Sequence, residues 1–378
     1  MLPIRPFTAQ KAAAIWKVSE DEARTTLDAL AARALLVDVE KPGGCEYVLP
    51  PPMAGFFEFS MMRVRSDLDQ KALAQLFHQY LNVEEDFVRA LFAGGETQLG
   101  RAFVDETALT PDDALHVLDF ERASEVVRTA TKRGVSRCYC RHKMEHMGRA
   151  CAAPQDVCLT FNTSAEALVR HGHAREVDVG EGLELLARAR ELGLVQFGEN
   201  VRQSVNFICN CCGCCCEAMI AARRFAAMHP IHTTHFMPAV REEACTGCER
   251  CVRACPVEAL SAVSANDPGR PKRTVARVDE ERCLGCGVCI RACGTGALAL
   301  HERGARKLTP ANGAHRAVLM AIERGKLQEL VFDNQLLWSH RALAWFFGAI
   351  LRLGPAKRLL ASEQLRSRYL EALLKRAA

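Results

Sequence analysis

Nineteen cysteines in a chain of 378 residues are the side chains best suited to carry chemistry. All except Cys45 fall into groups whose members lie only a few residues apart. Neighbours that close make poor disulfide partners but good metal ligands. Thiolates are soft ligands, typical of zinc and iron–sulfur sites. The cysteines therefore predict metal chemistry in a compartment that keeps thiols reduced, which favours a cytoplasmic location.

One spacing, C-x2-C-x2-C-x3-C, occurs twice, at Cys245, Cys248, Cys251 and Cys255 and again at Cys283, Cys286, Cys289 and Cys293. Three cysteines on a tight loop can reach three irons of one 4Fe–4S cube, while the fourth faces away and serves another cube. A pair of zinc sites is the alternative, but zinc usually takes two C-x2-C pairs. The repeat favours iron as the metal, bound through cysteine sulfur.

This duplicated run resembles the two-cluster bacterial ferredoxins over about residues 238–300. The resemblance implies two 4Fe–4S clusters with crossed ligands. The first would be held by Cys245, Cys248, Cys251 and Cys293. The second would be held by Cys283, Cys286, Cys289 and Cys255. Single-electron transfer is the activity that the resemblance implies.

A sparser group of cysteines lies upstream, at Cys138, Cys140, Cys151 and Cys158. Basic residues surround it, and a positive shell would stabilise an anionic thiolate-ligated cube. We expect these four cysteines to hold a third 4Fe–4S cluster, in which His142 or His146 could replace one thiolate. A zinc site or a few free thiols are the alternatives.

The densest group has six cysteines among the eight residues 209–216. Adjacent side chains diverge, so all six cannot reach one set of irons. Cys209, Cys212 and Cys216 are candidates for a fourth cluster, with the other thiols buried, bridging or completing the upstream site. Another option is that the two segments jointly build one unusual cluster.

The elements that must position these residues predict an α+β fold, mainly helical. Thr8 can begin a short helix, Ser19 with Glu22 forms a capping box, and two strand-like runs flank the turn 42–44. The predicted parts are a winged-helix-like 1–52, a helical 53–134, a cysteine-rich cluster-binding 135–237, a two-cluster ferredoxin-type 238–302 and a helical C-terminal 303–378. The whole chain is similar in this order to cysteine-rich 4Fe–4S dicluster proteins of the kind found in anaerobes.

Charge and hydropathy limit the partners. The chain carries 49 basic and 45 acidic side chains, and the second predicted helix is acidic, so no nucleic acid is favoured. No apolar run reaches the length of a transmembrane segment. The apolar run within 341–353 is a candidate for docking on a partner or a membrane surface.

The favoured function is electron transfer from or to a redox partner protein, through two ferredoxin-type clusters and one or two more. An oxidoreductase with a catalytic cluster in the Cys138–Cys216 region is the first alternative, so whether the chain is an enzyme stays open. A redox-sensing DNA-binding regulator is the second alternative. The motivation is that the recognisable chemical groups are iron–sulfur ligands, without a phosphate-binding loop or dinucleotide fingerprint.

Overall fold

The computed structural model describes residues 2–3, 5–84, 86–92, 95–304, 309–332 and 337–351. Helices and sheets are mixed along these residues, and helices hold the larger share. This mixture confirms the predicted α+β class.

The chain begins with two helices and a small antiparallel sheet. Their bounds are β1 (Phe7–Thr8), α1 (Ala9–Trp16), α2 (Glu20–Ala32), β2 (Val37–Lys41) and β3 (Gly44–Val48). The sheet has the strand order β1-β3-β2. Thr8 Oγ1 accepts a hydrogen bond from the Lys11 N–H at 3.3 Å, and Ser19 Oγ accepts one from the Glu22 N–H at 3.2 Å. The predicted order of helix, helix and hairpin is confirmed, with both helix starts capped as the sequence indicates.

Short helices and one strand follow. They are α3 (Phe59–Met61), α4 (Gln70–His78), α5 (Asp86–Phe92), β4 (Gly100–Ala102), α6 (Pro111–His116) and α7 (Ala123–Thr129), with π-helical turns at Met53–Glu58 and Gln79–Val83. The segment 53–134, predicted to be helical, therefore also contains a strand. β4 pairs with a strand almost a hundred residues later, with Arg101 opposite Gly198. No local sequence pattern predicts a pairing between strands so far apart in the chain.

An antiparallel six-stranded sheet forms the middle of the chain, in the order β4-β8-β9-β6-β5-β7. Its other strands are β5 (Arg133–Arg137), β6 (Asp156–Phe161), β7 (Arg175–Glu176), β8 (Val195–Glu199) and β9 (Phe207–Cys211). The helices between and after them are α8 (Tyr139–His146), α9 (Asn162–Arg170), α10 (Val179–Glu191) and α11 (Glu217–Arg224). The two central strands β6 and β9 both carry cysteines, so this sheet brings distant parts of the sequence together.

The duplicated cysteine run folds as two similar halves. Its elements are β10 (Phe236–Val240), α12 (Arg250–Ala254), β11 (Leu260–Ser264), β12 (Thr274–Val278), α13 (Val288–Ala292) and β13 (Leu298–Glu302). β10 pairs with β13 and β11 pairs with β12, both antiparallel. Gly247 and Gly285 occupy equivalent places in the two loops with φ of +68° and +71°, a conformation that favours glycine.

Three helices follow in the described part of the C-terminal region, α14 (Gly313–Glu323), α15 (Leu327–Val331) and α16 (Trp338–Leu351). Trp338 and Trp345 of α16 are each 76% exposed. Residues 352 and 353 of the predicted docking segment 341–353, and 305–308, 333–336 and 352–378 of the predicted C-terminal region, lie outside the described residues. Among the helices that are described, none combines the length and the apolar character that a membrane crossing requires.

Candidate metal centres

Seven cysteines from both predicted cysteine groups line one cavity of about 120 Å³. Six of them define what we call the six-thiol chamber: Cys138, Cys140, Cys158, Cys209, Cys211 and Cys216. The seventh, Cys212, lies in the wall but belongs to a second group of thiols described below. The Sγ atoms of Cys211 and Cys216 lie 3.1 Å apart. The structure thus joins the two segments, an arrangement that the sequence left as one option.

Strand pairing places three of these thiols. Cys209 and Cys211 are two residues apart on β9, so their side chains share one face of the sheet. β6 pairs with β9 through Leu159 and Ile208, and Cys158 and Cys209 directly adjoin that pair. The sheet therefore presents these three thiols to the chamber from adjacent strands.

Two helix starts supply the other thiols. Cys138 is the N-cap residue of α8, Cys140 lies in its first turn, and Cys216 is the N-cap residue of α11. The N-terminal end of a helix carries a partial positive charge and free N–H groups, which stabilise thiolates and anions. Both helix starts therefore favour an anionic group in the chamber.

Arg141 adds a full positive charge between the thiols. Its side chain is buried, and it donates hydrogen bonds to the carbonyl oxygens of Pro154 and Asn210 at 3.0 and 2.7 Å. Burial lowers the pKa of Arg141, but neighbouring Cys138, Cys212 and Cys211 raise it more, so the net shift is upward. The guanidinium therefore stays charged beside the chamber.

Three buried polar atoms of residues in the chamber wall, the Tyr139 hydroxyl, Arg141 Nε and Asn210 Oδ1, have no hydrogen-bond partner in the described part of the chain. A buried polar atom without a partner is costly and is rare in folded proteins. The sulfur atoms of an iron–sulfur cluster accept hydrogen bonds. The two donors among these atoms, the Tyr139 hydroxyl and Arg141 Nε, together with the thiol set fit a sulfur-containing anionic cofactor.

Hydrogen bonds among the thiols divide them into donors and acceptors. The bond from Cys158 lowers the pKa of Cys209 well below its usual range, against the effect of burial. Bonds from Cys140 and Cys211 lower the pKa of Cys216 to about 6. Thiolate is the form that binds metal. Cys209 and Cys216 therefore favour the thiolate form more than the thiols that donate to them, and their role as cluster ligands stays a prediction.

Two carboxyl groups lie in the chamber wall, those of Glu58 and Glu217. Burial raises the pKa of Glu58 well above the ordinary range, and Cys209 and Cys138 raise it further. Its carboxyl group is therefore easier to protonate than that of an exposed glutamate. The sequence offers no signal for this residue, because it lies in a π-helical turn far from the cysteines.

Four other cysteines form a second group, the four-thiol site, consisting of Cys151, Cys212, Cys214 and Cys215. Their Sγ atoms all lie within 4.8 Å of one another. This arrangement separates Cys151 from Cys138, Cys140 and Cys158, with which the sequence groups it. Cys212 lines the chamber together with Cys209 and Cys216, but its sulfur groups with these four thiols, because β9 ends at Cys211 and the chain then turns.

Among the ferredoxin-type cysteines, the first predicted set comprises Cys245, Cys248, Cys251 and Cys293. These four cysteines line one small cavity together with Gly247 and its neighbours in the loop. In the second set, burial raises the pKa of Cys286 to about 12, with further effects from Cys255 and Cys283. Burial likewise raises the pKa of Cys289, and the neighbouring thiols of Cys286, Cys283 and Cys255 raise it further. Cys255 Sγ accepts a hydrogen bond from the Ala259 N–H at 3.2 Å. The fourth cysteine of each half thus lies beside the first three of the other half.

The cysteine-rich turn packs directly on this region. A Cβ atom added to Gly213 would lie 2.8 Å from the Pro256 carbonyl oxygen and 2.9 Å from its Cα. Only a glycine permits so close an approach of two backbones. Pro256 follows Cys255, so the turn that joins the chamber to the four-thiol site touches the residue next to a ferredoxin-type cysteine.

Comparison with known proteins agrees with the duplicated run. Residues 244–297 match the family model of the 4Fe-4S dicluster domain. No curated protein sequence gives a significant match to the chain. The chain therefore contains a 4Fe–4S dicluster domain, and the residues before and after it lie outside that match.

Proposed function

We propose that this chain is an iron–sulfur electron-transfer protein that relays single electrons between its dicluster domain, a cluster in the six-thiol chamber and a partner oxidoreductase. Bound 4Fe–4S clusters supply reversible one-electron oxidation and reduction. The ligands would be the eight cysteines of the dicluster segment and a subset of the chamber thiols. The helix starts at Cys138 and Cys216, with Arg141, would stabilise the anionic cofactor.

The contact between Gly213 and Pro256 carries this proposal. It joins the turn after Cys211 to the residue after Cys255. Cys211 and Cys216 also share a hydrophobic core with Cys283 and Leu284. Direct packing shortens the distance between the two ligand regions and excludes water between them, and both conditions favour electron transfer.

The proposed relay needs a surface on which the redox partner protein can dock. The exposed side of α16, with Trp338, Trp345 and Phe346, is a surface on which a redox partner could dock, and docking there stays a prediction. We expect the protein to work in a reducing compartment such as the cytoplasm, because free thiols of this number require one.

A second candidate is an oxidoreductase that transforms a substrate in the chamber. Two observations favour it. Six thiols exceed the four that one cube uses, and the carboxyl group of Glu58, whose pKa burial raises, faces the same cavity. Changes in the chamber spectrum on adding a substrate would favour this function over simple electron relay.

Anaerobic purification tests the proposal, with iron and acid-labile sulfide counted per chain and the reduced protein examined by electron paramagnetic resonance. We expect at least about twelve irons and twelve sulfides, four of each per cube. The variant C209S should lose about four of each and keep the signals of the dicluster domain. Cys45, which lies apart from the cysteine groups, provides the matched control C45S. About eight irons and eight sulfides in the wild type would contradict a chamber cluster.

A further inference from the structure

We propose that Cys151, Cys212, Cys214 and Cys215 bind one metal ion, zinc or iron, as a mononuclear tetrathiolate site that is separate from every cluster. The inference does not depend on the electron-transfer proposal, because it concerns a different ligand set. It also accounts for four cysteines that the six-thiol chamber leaves unused.

The distances between the sulfur atoms are the first argument. The Sγ atom of Cys151 lies 3.6 Å from that of Cys212 and 3.9 Å from that of Cys215. The Sγ atoms of Cys214 and Cys215 lie 3.7 Å apart. Four sulfurs bonded at about 2.3 Å to one tetrahedral ion lie about 3.8 Å apart. The observed spacing therefore suits a single ion at the centre of the four.

A cube requires a wider arrangement. Each thiolate of a 4Fe–4S cluster binds a different iron on the outside of the cube, so its sulfurs lie farther apart than those around one ion. All four sulfurs of this site lie within 4.8 Å of one another. Within the part of the chain that the structure describes, no three sulfurs of the dicluster segment or of the chamber lie that close together. The four-thiol site is thus distinct from both regions proposed to hold clusters.

Packing alone does not explain the group. Cys214 is exposed and Cys151 and Cys212 are only half-buried, whereas a cysteine that serves as a small apolar side chain is normally buried. The four thiols converge from two loops, one after α8 and one between β9 and α11. A closed set of four thiolates without an open position is typical of a structural site.

Charge supports the same conclusion. A divalent ion with four thiolates carries a net charge of −2, and binding it releases the thiol protons. Arg141 neighbours Cys151 and Cys212, so the same buried guanidinium that faces the chamber also compensates this site.

An ion bound at the four-thiol site would affect the chamber through the short turn that connects the two. Cys211 and Cys216 flank the turn that carries three of its ligands, and both line the chamber. A bound ion would hold that turn against the Cys151 loop and keep Gly213 against Pro256. Its role would be to position chamber ligands.

X-ray absorption of the intact wild-type protein, after anaerobic purification, tests the coordination without any substitution. At the zinc edge we expect four sulfur neighbours at about 2.3 Å and no short metal–metal distance. If the ion is iron, the wild type would instead contain about one iron in excess of its sulfide. Absence of both signatures would overturn the proposal.

Variants then assign the ion to these residues. C214S should lose about one zinc, or one iron without sulfide, and should keep its cluster-bound iron and sulfide; C45S should keep every metal. C214H restores a zinc ligand and should recover most of the ion. If C214S instead lost about four irons with four sulfides, or no metal at all, the four thiols would not form a mononuclear site.

Discussion

Lys143 is fully buried beside the six-thiol chamber, in a network that joins separate elements. Its ammonium group donates hydrogen bonds to Glu217 and to Oδ1 of Asn82, the latter at 2.9 Å. Asn82 Nδ2 donates to the second oxygen of Glu217 at 2.7 Å. Lys143 lies on α8 and Glu217 begins α11, so the network fixes the two helix starts that carry chamber thiols.

Breaking this network should destabilise the protein strongly. K143M leaves the Glu217 carboxylate buried without its counter-charge, and loss of one partner of a buried ion pair costs about 3–5 kcal/mol. The double variant K143M/E217L removes both charges and should recover most of that loss. Anaerobic urea denaturation followed by circular dichroism measures both effects. A double variant as unstable as the sum of its single variants would contradict the expectation.

The dicluster domain was predictable from single residues because its cysteine spacing is local. In the dicluster segment the spacing places three cysteines on one loop, and residues 244–297 match the family model. In the cysteine-rich segments the grouping depends on which residues form a strand. Cys209 and Cys211 share a face only because β9 is extended, and Cys212 leaves it only because β9 ends. Spacing alone does not contain the register of β6 against β9.

At the scale of elements, hydrogen bonds attach the N-terminal hairpin to the C-terminal end of α9. Asp38 of β2 accepts hydrogen bonds from Arg170 Nη1 at 2.6 Å and, at 3.1 Å, from Nε2 of His171 when that nitrogen is protonated. His173 Nε2 lies 2.9 Å from the Ala32 carbonyl oxygen at the end of α2, and the Arg63 guanidinium contacts the same ring. Burial, followed by the charge of Arg63, lowers the pKa of His173 to about 4.

This attachment should weaken in acid. An unfolded histidine titrates near pH 6.5, so between about pH 6.5 and pH 4 the unfolded state binds more protons. The stabilisation is complete above that window and is lost as the pH falls through it. H173Q should remove this part of the acid sensitivity, on the order of 1 kcal/mol after solvent screening.

Thermal unfolding of wild type and H173Q at pH 7 and pH 5 measures the difference. H301Q, at an exposed position on β13, serves as the control and should keep the wild-type dependence. Equal acid sensitivity in wild type and H173Q would exclude a contribution from His173.

Elements with their own start and stop signals were predictable. Thr8 and Ser19, which the sequence indicates as helix starts, directly precede α1 and α2, and the predicted turn 42–44 lies between β2 and β3 apart from its last residue. α10 also begins after a capping residue, because Asp178 accepts from the Glu181 N–H at 2.8 Å. β4 was not predictable, because a three-residue strand owes its conformation to its distant partner rather than to its own sequence.

For the molecule as a whole, the contact of Gly213 with Pro256 should control communication between the chamber and the dicluster domain. Alanine at position 213 would press on the Pro256 backbone and move the turn away. We expect G213A to keep its iron content but to show weaker magnetic interaction between its clusters and several-fold slower reduction of the chamber. Gly304 has open space around its Cβ position, so G304A is the matched control.

Electron paramagnetic resonance of the fully reduced variants, with stopped-flow reduction, provides the measurement. If G213A and G304A both behaved like the wild type, the contact would not be the route between the two regions.

The origin of the chamber thiols also bears on the order in which the protein matures. They come from β6, β9 and the starts of α8 and α11, which meet only after the six-stranded sheet has formed. The dicluster cysteines come from two neighbouring loops and need no such closure. We therefore expect cofactor loading during biosynthesis in two stages. The dicluster segment would fill early, and the chamber would fill only once β9 has paired with β6.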